Sequence, residues 1–302
     1  MTAELALGTY RCQDIPEAAA RAAASGARWI DTAPNYGAGQ AQRDIAGVLA
    51  ARPTVHVSTK VGYFTAATGA AAVNDEVLAP DQATAGHSLA PEYVRWQVRR
   101  NRAELGRDRL DLVLLHNPER AQNGDRAPLY RAIREAFTVL EEETEAGHIA
   151  GYGVATWRGF QDEAFSVPLL RALATEAAGG QHHLAAIQLP VSLVMMAPIE
   201  QALNGHGPVQ AAAGAGLRVM ASAPLHGGEL PEMVDQELAD LIRPGLTPAQ
   251  ACILTAASCP GVTHVLVAAS SAPHWQQAAD AVAQSPLDTA RLGEIADVLT
   301  SV

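Results

Sequence analysis

Cysteine is scarce in this sequence, and long apolar runs are absent. The three cysteines, Cys12, Cys252 and Cys259, are too few and too scattered for a disulfide framework or a zinc-binding motif. No apolar run approaches the roughly 18 residues that a membrane-spanning helix needs. The first residues also lack the basic flank and apolar core of a signal peptide. We therefore expect a soluble, cytoplasmic protein without a membrane partner.

Basic and aromatic residues are also few. Only 21 Lys and Arg face 32 Asp and Glu, which gives a net charge of −11. Because no basic stripe is available to meet phosphate groups, nucleic acid is not an expected partner. Aromatic residues make up 5% of the chain, which disfavours a large flat substrate. Hydrophobic residues, in contrast, make up 48% of the 302 residues and indicate a large buried core.

Strand-sized apolar runs recur along the whole chain and alternate with helical patterns. This alternation predicts an α/β fold, a (β/α)8 TIM barrel that forms a single domain over residues 1–302 and closes with a C-terminal helix. Two doubly wound halves are the structural alternative. The eight predicted strands are 5–10, 27–30, 55–60, 110–115, 149–156, 184–189, 217–223 and 264–268.

Two stretches depart from this regular pattern. Residues 61–90 show no sustained period, so we predict an irregular loop that is too long for an ordinary strand–helix connection. Whether it is an active-site lid stays open. The acidic run 141–143 lies within a predicted helix, where we expect it to face solvent.

Polar side chains with complementary chemistry follow three successive predicted strands. Asp31 ends the second strand, where Pro34 prevents continuation, and Tyr36 follows it. Lys60 and His116 end the next two strands. In a barrel these strand ends meet at one mouth. We therefore predict one catalytic pocket that contains all four side chains.

These four side chains suit the protonation of a substrate oxygen. A Tyr phenol has a pKa near ~10, and we expect the Lys60 ammonium to lower it, with Asp31 orienting the lysine. His116 could orient the carbonyl and donate to its oxygen. Positioned acid catalysis contributes about 10²–10⁴-fold in rate. No side chain supplies a hydride for reduction, whereas a nicotinamide cofactor would supply one.

The motifs at these strand ends resemble those of the aldo-keto reductases. The matching segments are Asp-Thr-Ala-Pro-Asn-Tyr-Gly at 31–37, Ser-Thr-Lys at 58–60, Leu-Leu-His-Asn-Pro at 114–118, Gly-Tyr-Gly-Val-Ala-Thr at 151–156, Gln188 and Ala-Pro-Leu at 223–225. The resemblance covers essentially the whole chain and suggests a divergent bacterial-type member. It implies an NAD(P)H-dependent reductase with Tyr36 as proton donor, assisted by Asp31, Lys60 and His116.

The resemblance also implies a cofactor site, which departs from the family pattern in places. Thr156 stands where the family has the Asn of a Ser-Asn pair, and Ser222 stands where an aromatic residue often lies. Ser270 and Ser271, near a helix N-terminus, could bind phosphate. NADP(H) is expected over NAD(H) from family habit. The expected cofactor contacts are Gly8, Thr9, Asp31, Thr156, Gln188, Ser222, Pro224, Leu225, Ser270 and Ser271.

The expected substrate is a small aldehyde or ketone, or the corresponding alcohol. Its pocket is expected to include Tyr63, Phe64, Trp157 and His226. The segment Ser-Thr-Lys-Val-Gly at 58–62 resembles the sugar- and aldose-dehydrogenase branch. The histidines lack the spacing of a metal site, so no metal is expected. The physiological substrate, the reaction direction and the oligomeric state stay open.

Two other functions remain possible from the sequence. One is a nucleotide-binding sensor or regulatory barrel that does no chemistry. The other is a redox-neutral isomerase or lyase that uses the same Tyr, Lys and His set on an enolisable substrate.

Overall fold

Eight strands are present in the computed structural model, which describes residues 2–121 and 125–300. They are β1 (Glu4–Gly8), β2 (Trp29–Asp31), β3 (His56–Val61), β4 (Leu112–His116), β5 (Tyr152–Ala155), β6 (Leu184–Pro190), β7 (Arg218–Ser222) and β8 (His264–Val267). They form a closed parallel barrel in chain order, and β1 pairs with β8. The predicted single-domain (β/α)8 barrel is confirmed. Two doubly wound halves would leave open sheet edges, which this barrel lacks.

Helices connect the strands and cover the barrel. They are α1 (Ile15–Ala24), α2 (Ala41–Ala51), α3 (Ala66–Asn74), α4 (Pro80–Ala83), α5 (Pro91–Leu105), α6 (Arg126–Glu145), α7 (Val167–Ala178), α8 (Ala197–Leu203), α9 (Gly207–Gly214), α10 (Leu230–Met233), α11 (Gln236–Ile242), α12 (Pro248–Ser258), α13 (Ala272–Val282) and α14 (Thr289–Thr300). Local signals start several of them: Thr247 and Gln250 form a reciprocal capping box at α12. Over residues 2–121 and 125–300, no helix is both long and apolar enough to cross a membrane.

The apolar core has two layers. The larger layer fills the space between the strands and the surrounding helices. The smaller one lies inside the barrel and consists of Ala6, Trp29, Leu112, Leu114, Ala155, Ala186, Met220 and Leu266. These side chains pack the interior, so the barrel is not a pore and supports a site only at its mouth.

The segment 61–90 is more regular than predicted. It contains α3 and α4, so the prediction of an irregular loop was wrong for much of its length. Thr65 caps α3 by accepting a hydrogen bond from the backbone of Thr68. Small residues give this helix no strong sequence periodicity, and its stability comes from a separate apolar cluster around Tyr93 and Trp96.

The acidic run 141–143 is only partly exposed, contrary to expectation. The side chains of Glu141 and Glu143 are about 5% exposed, and each pairs with a histidine. Glu141 accepts hydrogen bonds from the Tyr152 hydroxyl (2.5 Å) and the His183 backbone amide (2.8 Å). These partners come from later strands and loops, so they satisfy a buried carboxylate that local sequence could not account for.

Candidate active site

A cavity of about 530 Å³ opens at the mouth formed by the carboxyl ends of the strands. Asp31, Tyr36 and His116 lie in its wall, and Lys60 lies directly behind Asp31. The structure therefore brings the four predicted catalytic side chains together. Their common origin at strand ends explains why, since parallel strands place these ends on one rim.

Asp31 and Lys60 form a buried ion pair. Lys60 Nζ lies 2.7 Å from Asp31 Oδ2 and donates a second bond to the Thr32 carbonyl oxygen at 2.9 Å. The other carboxylate oxygen of Asp31 accepts from Ser58 Oγ at 2.7 Å and from Gln188 Nε2 at 2.9 Å. The two charges are at most 5% exposed. These hydrogen bonds offset the desolvation cost of burying them.

Tyr36 lies on a short 3-10 turn, Tyr36–Gly39, that follows the end of β2. Pro34 cannot extend the strand, so the chain turns back over the mouth. The ring centroid of Tyr36 is 4.9 Å from Lys60 Nζ. Its edge also meets the His116 ring, with 5.9 Å between centroids. The phenol is therefore held beside both the ion pair and the imidazole.

The pKa of Tyr36 is raised well above its usual value of 10, contrary to the expected lowering. Burial is the main cause, followed by the negative charge of Asp31. Lys60 does not reverse this effect because its ammonium hydrogen-bonds Asp31 and Thr32. Burial also lowers the pKa of Lys60, although Asp31 opposes that shift. The phenol therefore keeps its proton at neutral pH.

His116 is neutral at physiological pH. Burial lowers its pKa well below 6.5, and the nearby positive charge of Lys60 acts in the same direction. Within the described residues, its buried Nδ1 has no hydrogen-bond partner. A proton on Nε2 leaves this Nδ1 as an unpaired acceptor, which is tolerated better than an unpaired buried N–H. Nε2 is then the donating nitrogen.

The sequence matches the aldo/keto reductase family model over residues 4–300. The chain belongs to the aldo/keto reductase family. Membership of this family supports an oxidoreductase that acts on carbonyl or alcohol groups.

One relative and two solved structures illustrate this membership. D-threo-aldose 1-dehydrogenase from a Pseudomonas species is 27% identical over 139 residues, which cover 44% of this chain and only 40% of that relative. An aldo-keto reductase from Bacillus halodurans in its holo form superimposes with a TM-score of 0.69 at 18% identity, covering 98% of this chain and 92% of that one. A thermostable aldo-keto reductase crystallised with the inhibitor epalrestat gives 0.70 at 18% identity, covering 98% and 94%. At this identity the two structures show the fold alone.

Most of the cofactor contacts implied by the aldo/keto reductase resemblance lie in the cavity wall. These are Gly8, Asp31, Thr156, Gln188, Ser222, Pro224 and Leu225. Thr9, Ser270 and Ser271 lie outside that wall. Thr9 Oγ1 instead donates to the Asp31 carbonyl oxygen, Ser270 Oγ accepts from the Gln13 amide, and Ser271 caps α13.

Thr156 faces the cavity, but its hydroxyl is engaged within the protein. Its Oγ1 donates to Glu119 Oε1 at 2.7 Å and accepts from the Gly159 amide at 2.7 Å. The expectation that it replaces the family's Asn by donating to the cofactor therefore does not fit this geometry. The hydroxyl instead holds the loop that follows β5.

Three of the four predicted substrate-pocket residues line the cavity: Tyr63, Trp157 and His226. Phe64 does not. Its ring is buried under α3 and packs against Tyr93, with 5.1 Å between centroids. Successive residues in extended chain point to opposite sides, so Tyr63 and Phe64 face different compartments.

The sequence reasoning missed several residues of the cavity wall: Tyr10, Arg11, Asn35, Asn117 and Glu229. The first four lie next to a strand end or a predicted catalytic residue, and that position was a usable signal. Glu229 lies on the loop after β7, where sequence spacing offered none. Arg11 Nη1 approaches Glu229 at 3.5 Å, which joins two loops at the cavity mouth.

Proposed function

We propose that this chain is an NAD(P)H-dependent reductase of aldehydes or ketones, able to catalyse the reverse oxidation. The observation that carries the proposal is the buried Asp31–Lys60 pair beside Tyr36 and His116 in one cavity. Tyr36 is the proton donor to the substrate oxygen. His116 orients the carbonyl by donating from Nε2, and Lys60 holds positive charge next to the developing oxyanion.

The cavity residues fit the nicotinamide end of a dinucleotide. The side-chain amides of Gln188 and Asn117 can meet a carboxamide, and the wall at 222–225 offers both polar and apolar contacts. The cavity volume lies in the usual range for small-molecule sites. A bound nicotinamide would supply the hydride that no side chain can supply.

NADP(H) remains the expected form over NAD(H). Arg21 Nη1 donates to the Ser270 carbonyl oxygen at 3.4 Å, which brings a guanidinium to the loop after β8. A 2′-phosphate requires such a cation. Arg21 also pairs with Glu17 at 2.5 Å, so the preference is expected to be moderate.

The raised pKa of Tyr36 keeps the phenol protonated at neutral pH, which is the form that reduction uses. Reduction needs a protonated phenol, since the alkoxide that forms is a far stronger base than a phenolate. Oxidation needs Tyr36 to accept a proton, and only a small fraction of phenolate is available below its raised pKa. We therefore propose that carbonyl reduction reaches its full rate at neutral pH, whereas the reverse oxidation accelerates as the pH rises.

The substrate we propose is small and polar, such as a hydroxylated or sugar-like aldehyde. Asn35 and Asn117 contribute amides to the wall, and Arg11 and Glu229 contribute charges at the mouth. The partial match to an aldose dehydrogenase is consistent with this class. Trp157, 42% exposed, provides a flat apolar surface for one face of a ring.

Fluorescence titration with NADPH and NADH tests this proposal, together with turnover of a panel of small aldehydes. We expect binding of at least one nucleotide, tighter for NADPH, and nucleotide-dependent reduction. The variant Tyr36→Phe should bind nucleotide within about twofold of wild type and lose at least about 10²-fold in kcat. Full turnover by Tyr36→Phe would contradict the role of the phenol.

The same measurements separate the alternatives. Nucleotide binding without turnover of any carbonyl would favour a sensor or regulatory barrel. Turnover that needs no nucleotide would favour an isomerase or lyase. Failure to bind either nucleotide would rule out the reductase.

A further inference from the structure

The edge of β3 that faces β2 loses its strand partner just before Lys60. β2 ends at Asp31, which pairs with Ser58, and the amide of Thr32 makes the last bond to the Ser58 carbonyl oxygen. Peptide groups two residues apart point to the same side of a strand. The peptide groups of Lys60 and Gly62 therefore face the edge that β2 leaves when it turns out at Pro34.

Side-chain amides of α5 take the place of the missing strand. Asn101 Nδ2 donates to the Lys60 carbonyl oxygen at 2.8 Å. Gln97 Oε1 accepts from the Gly62 amide at 2.9 Å, and Gln97 Nε2 donates to the Tyr63 carbonyl oxygen at 3.3 Å. Both side chains are fully buried. On this edge of β3, side chains therefore make the hydrogen bonds that the backbone of a neighbouring strand would otherwise make.

A third buried amide, Gln42 on α2, sets the orientation of Asn101. Thr59 Oγ1 donates to Gln42 Oε1 at 2.6 Å, and Gln42 Nε2 donates to Asn101 Oδ1 at 3.1 Å. The oxygen of Asn101 is therefore engaged, and its nitrogen faces Lys60. Gln42 Nε2 also donates to Glu104 Oε2 at 2.8 Å, which anchors it to α5.

We propose that Gln42, Gln97 and Asn101, named here the amide clamp, are positioning residues for the catalytic lysine and for the substrate wall. The clamp binds the backbone carbonyl oxygen of Lys60. At the other end of the same residue, Lys60 Nζ contacts Asp31 and the ring of Tyr36. It also holds Tyr63, whose ring centroid lies 4.8 Å from that of His116. This role rests on the proposed reductase function.

Small displacements at this point have large effects on rate. A shift of about 1 Å in a catalytic group can cost ~10²-fold. The clamp bonds lie on one side of the Lys60 backbone, and the ion pair lies at the other end of its side chain. Loss of a clamp bond should therefore lower kcat more than it weakens cofactor binding.

Two near-isosteric variants and one control test the proposal in the full chain. Gln97→Met and Asn101→Leu remove the clamp bonds without opening a large cavity. Thr255→Val is the control, because Thr255 is equally buried and, among the described residues, its Oγ1 bonds only the Ala251 carbonyl oxygen within α12. We expect kcat of each clamp variant to fall tenfold to a hundredfold, the Kd for NADPH to change by less than twofold, and the control to keep its kcat.

Hydrogen exchange at the peptide covering 58–64 gives a readout that does not depend on activity. We expect it to accelerate at least tenfold in Gln97→Met and not in Thr255→Val. Clamp variants that match the control in kcat and in hydrogen exchange would overturn the proposal. An equal loss of kcat in Gln97→Met, Asn101→Leu and Thr255→Val would overturn it as well. A wild-type protein that reduces no carbonyl would instead reject the reductase function, and exchange alone would then decide the positioning role.

Discussion

At the scale of single residues, burial controls the protonation of the site. Tyr36 and His116 lie beside the Asp31–Lys60 pair, and loss of solvent is the main cause that favours the neutral form of each group. The charges act in the same direction, because Asp31 raises the pKa of Tyr36 and Lys60 lowers the pKa of His116. Tyr36 therefore stays a phenol and His116 stays an imidazole over a wide range of pH.

The pH dependence of turnover follows from these two shifts. We expect kcat for reduction to vary less than about twofold between about pH 6.5 and about pH 9.5, since His116 remains neutral and Tyr36 remains protonated throughout. The reverse oxidation should accelerate by about tenfold per pH unit over the same range, because it requires the phenolate. Stopped-flow or steady-state rates in both directions would check this. An apparent pKa near 8 in the reduction would contradict it.

At the scale of elements, the approach of β5 to β6 depends on a glycine. A Cβ at Gly153 would lie 2.1 Å from the Ala186 carbonyl oxygen and 2.8 Å from Leu114 Cδ2. The register between the two strands also shifts at this point. Thr156 follows the end of β5, and Gln188 lies on β6. The close approach at Gly153 therefore sets the distance between two strands that contribute to the cavity wall.

Gly153→Ala should therefore destabilise the barrel. We expect the free energy of unfolding to fall by about 3 kcal/mol, since backbone rather than a flexible side chain must move. The control is Gly47→Ala in α2, where a Cβ would meet no atom within 4 Å apart from its chain neighbours and its own helix backbone, over the residues that the structure describes. That substitution should raise stability by about 0.5–1 kcal/mol through helix propensity. Urea denaturation followed by circular dichroism measures both, and equal effects would refute the argument.

At the scale of the whole molecule, the barrel buries histidines at both ends. His87 and His116 lie near the catalytic mouth. His264 begins β8, packs edge-on against Trp29, and its burial lowers its pKa to about 4. Each of these groups is less easily protonated when folded than when unfolded. The unfolded state therefore takes up more protons below about pH 6.5, and stability must fall with acidification.

His264 allows this to be measured. The contribution of His264 to the free energy of unfolding is complete above about pH 6.5. It decreases by about 1.4 kcal/mol per pH unit from there down to the pKa of His264 in the folded protein. We expect His264→Gln to show a shallower loss of stability between pH 6.5 and pH 4 than wild type. His274→Gln is the control, because that side chain is exposed on α13. Chemical denaturation across this pH range would show whether the slopes differ.

Local chemistry was enough to predict the fold and to place Asp31, Tyr36, Lys60 and His116 at neighbouring strand ends. Apolar runs of strand length, and a Pro that ends β2 after Asp31, act over a few residues and can be read directly. The positions of Lys60 and His116 at strand ends are equally local. Parallel strands then bring these ends together without further information.

Contacts between distant segments decided the features that the sequence did not predict. The direction of the Tyr36 pKa shift depends on how completely the barrel excludes water. Thr156 is engaged because Glu119 arrives from the loop after β4. The helices within 61–90 are stabilised by packing on α5, and the amide clamp joins α2 and α5 to the edge of β3 that has no strand partner. The sequence by itself determined that Asp31, Tyr36, Lys60 and His116 come from neighbouring strand ends at one mouth of the barrel. Only the tertiary structure decided their protonation, their partners and the residues that hold them, because burial and long-range hydrogen bonds exist only after the barrel closes.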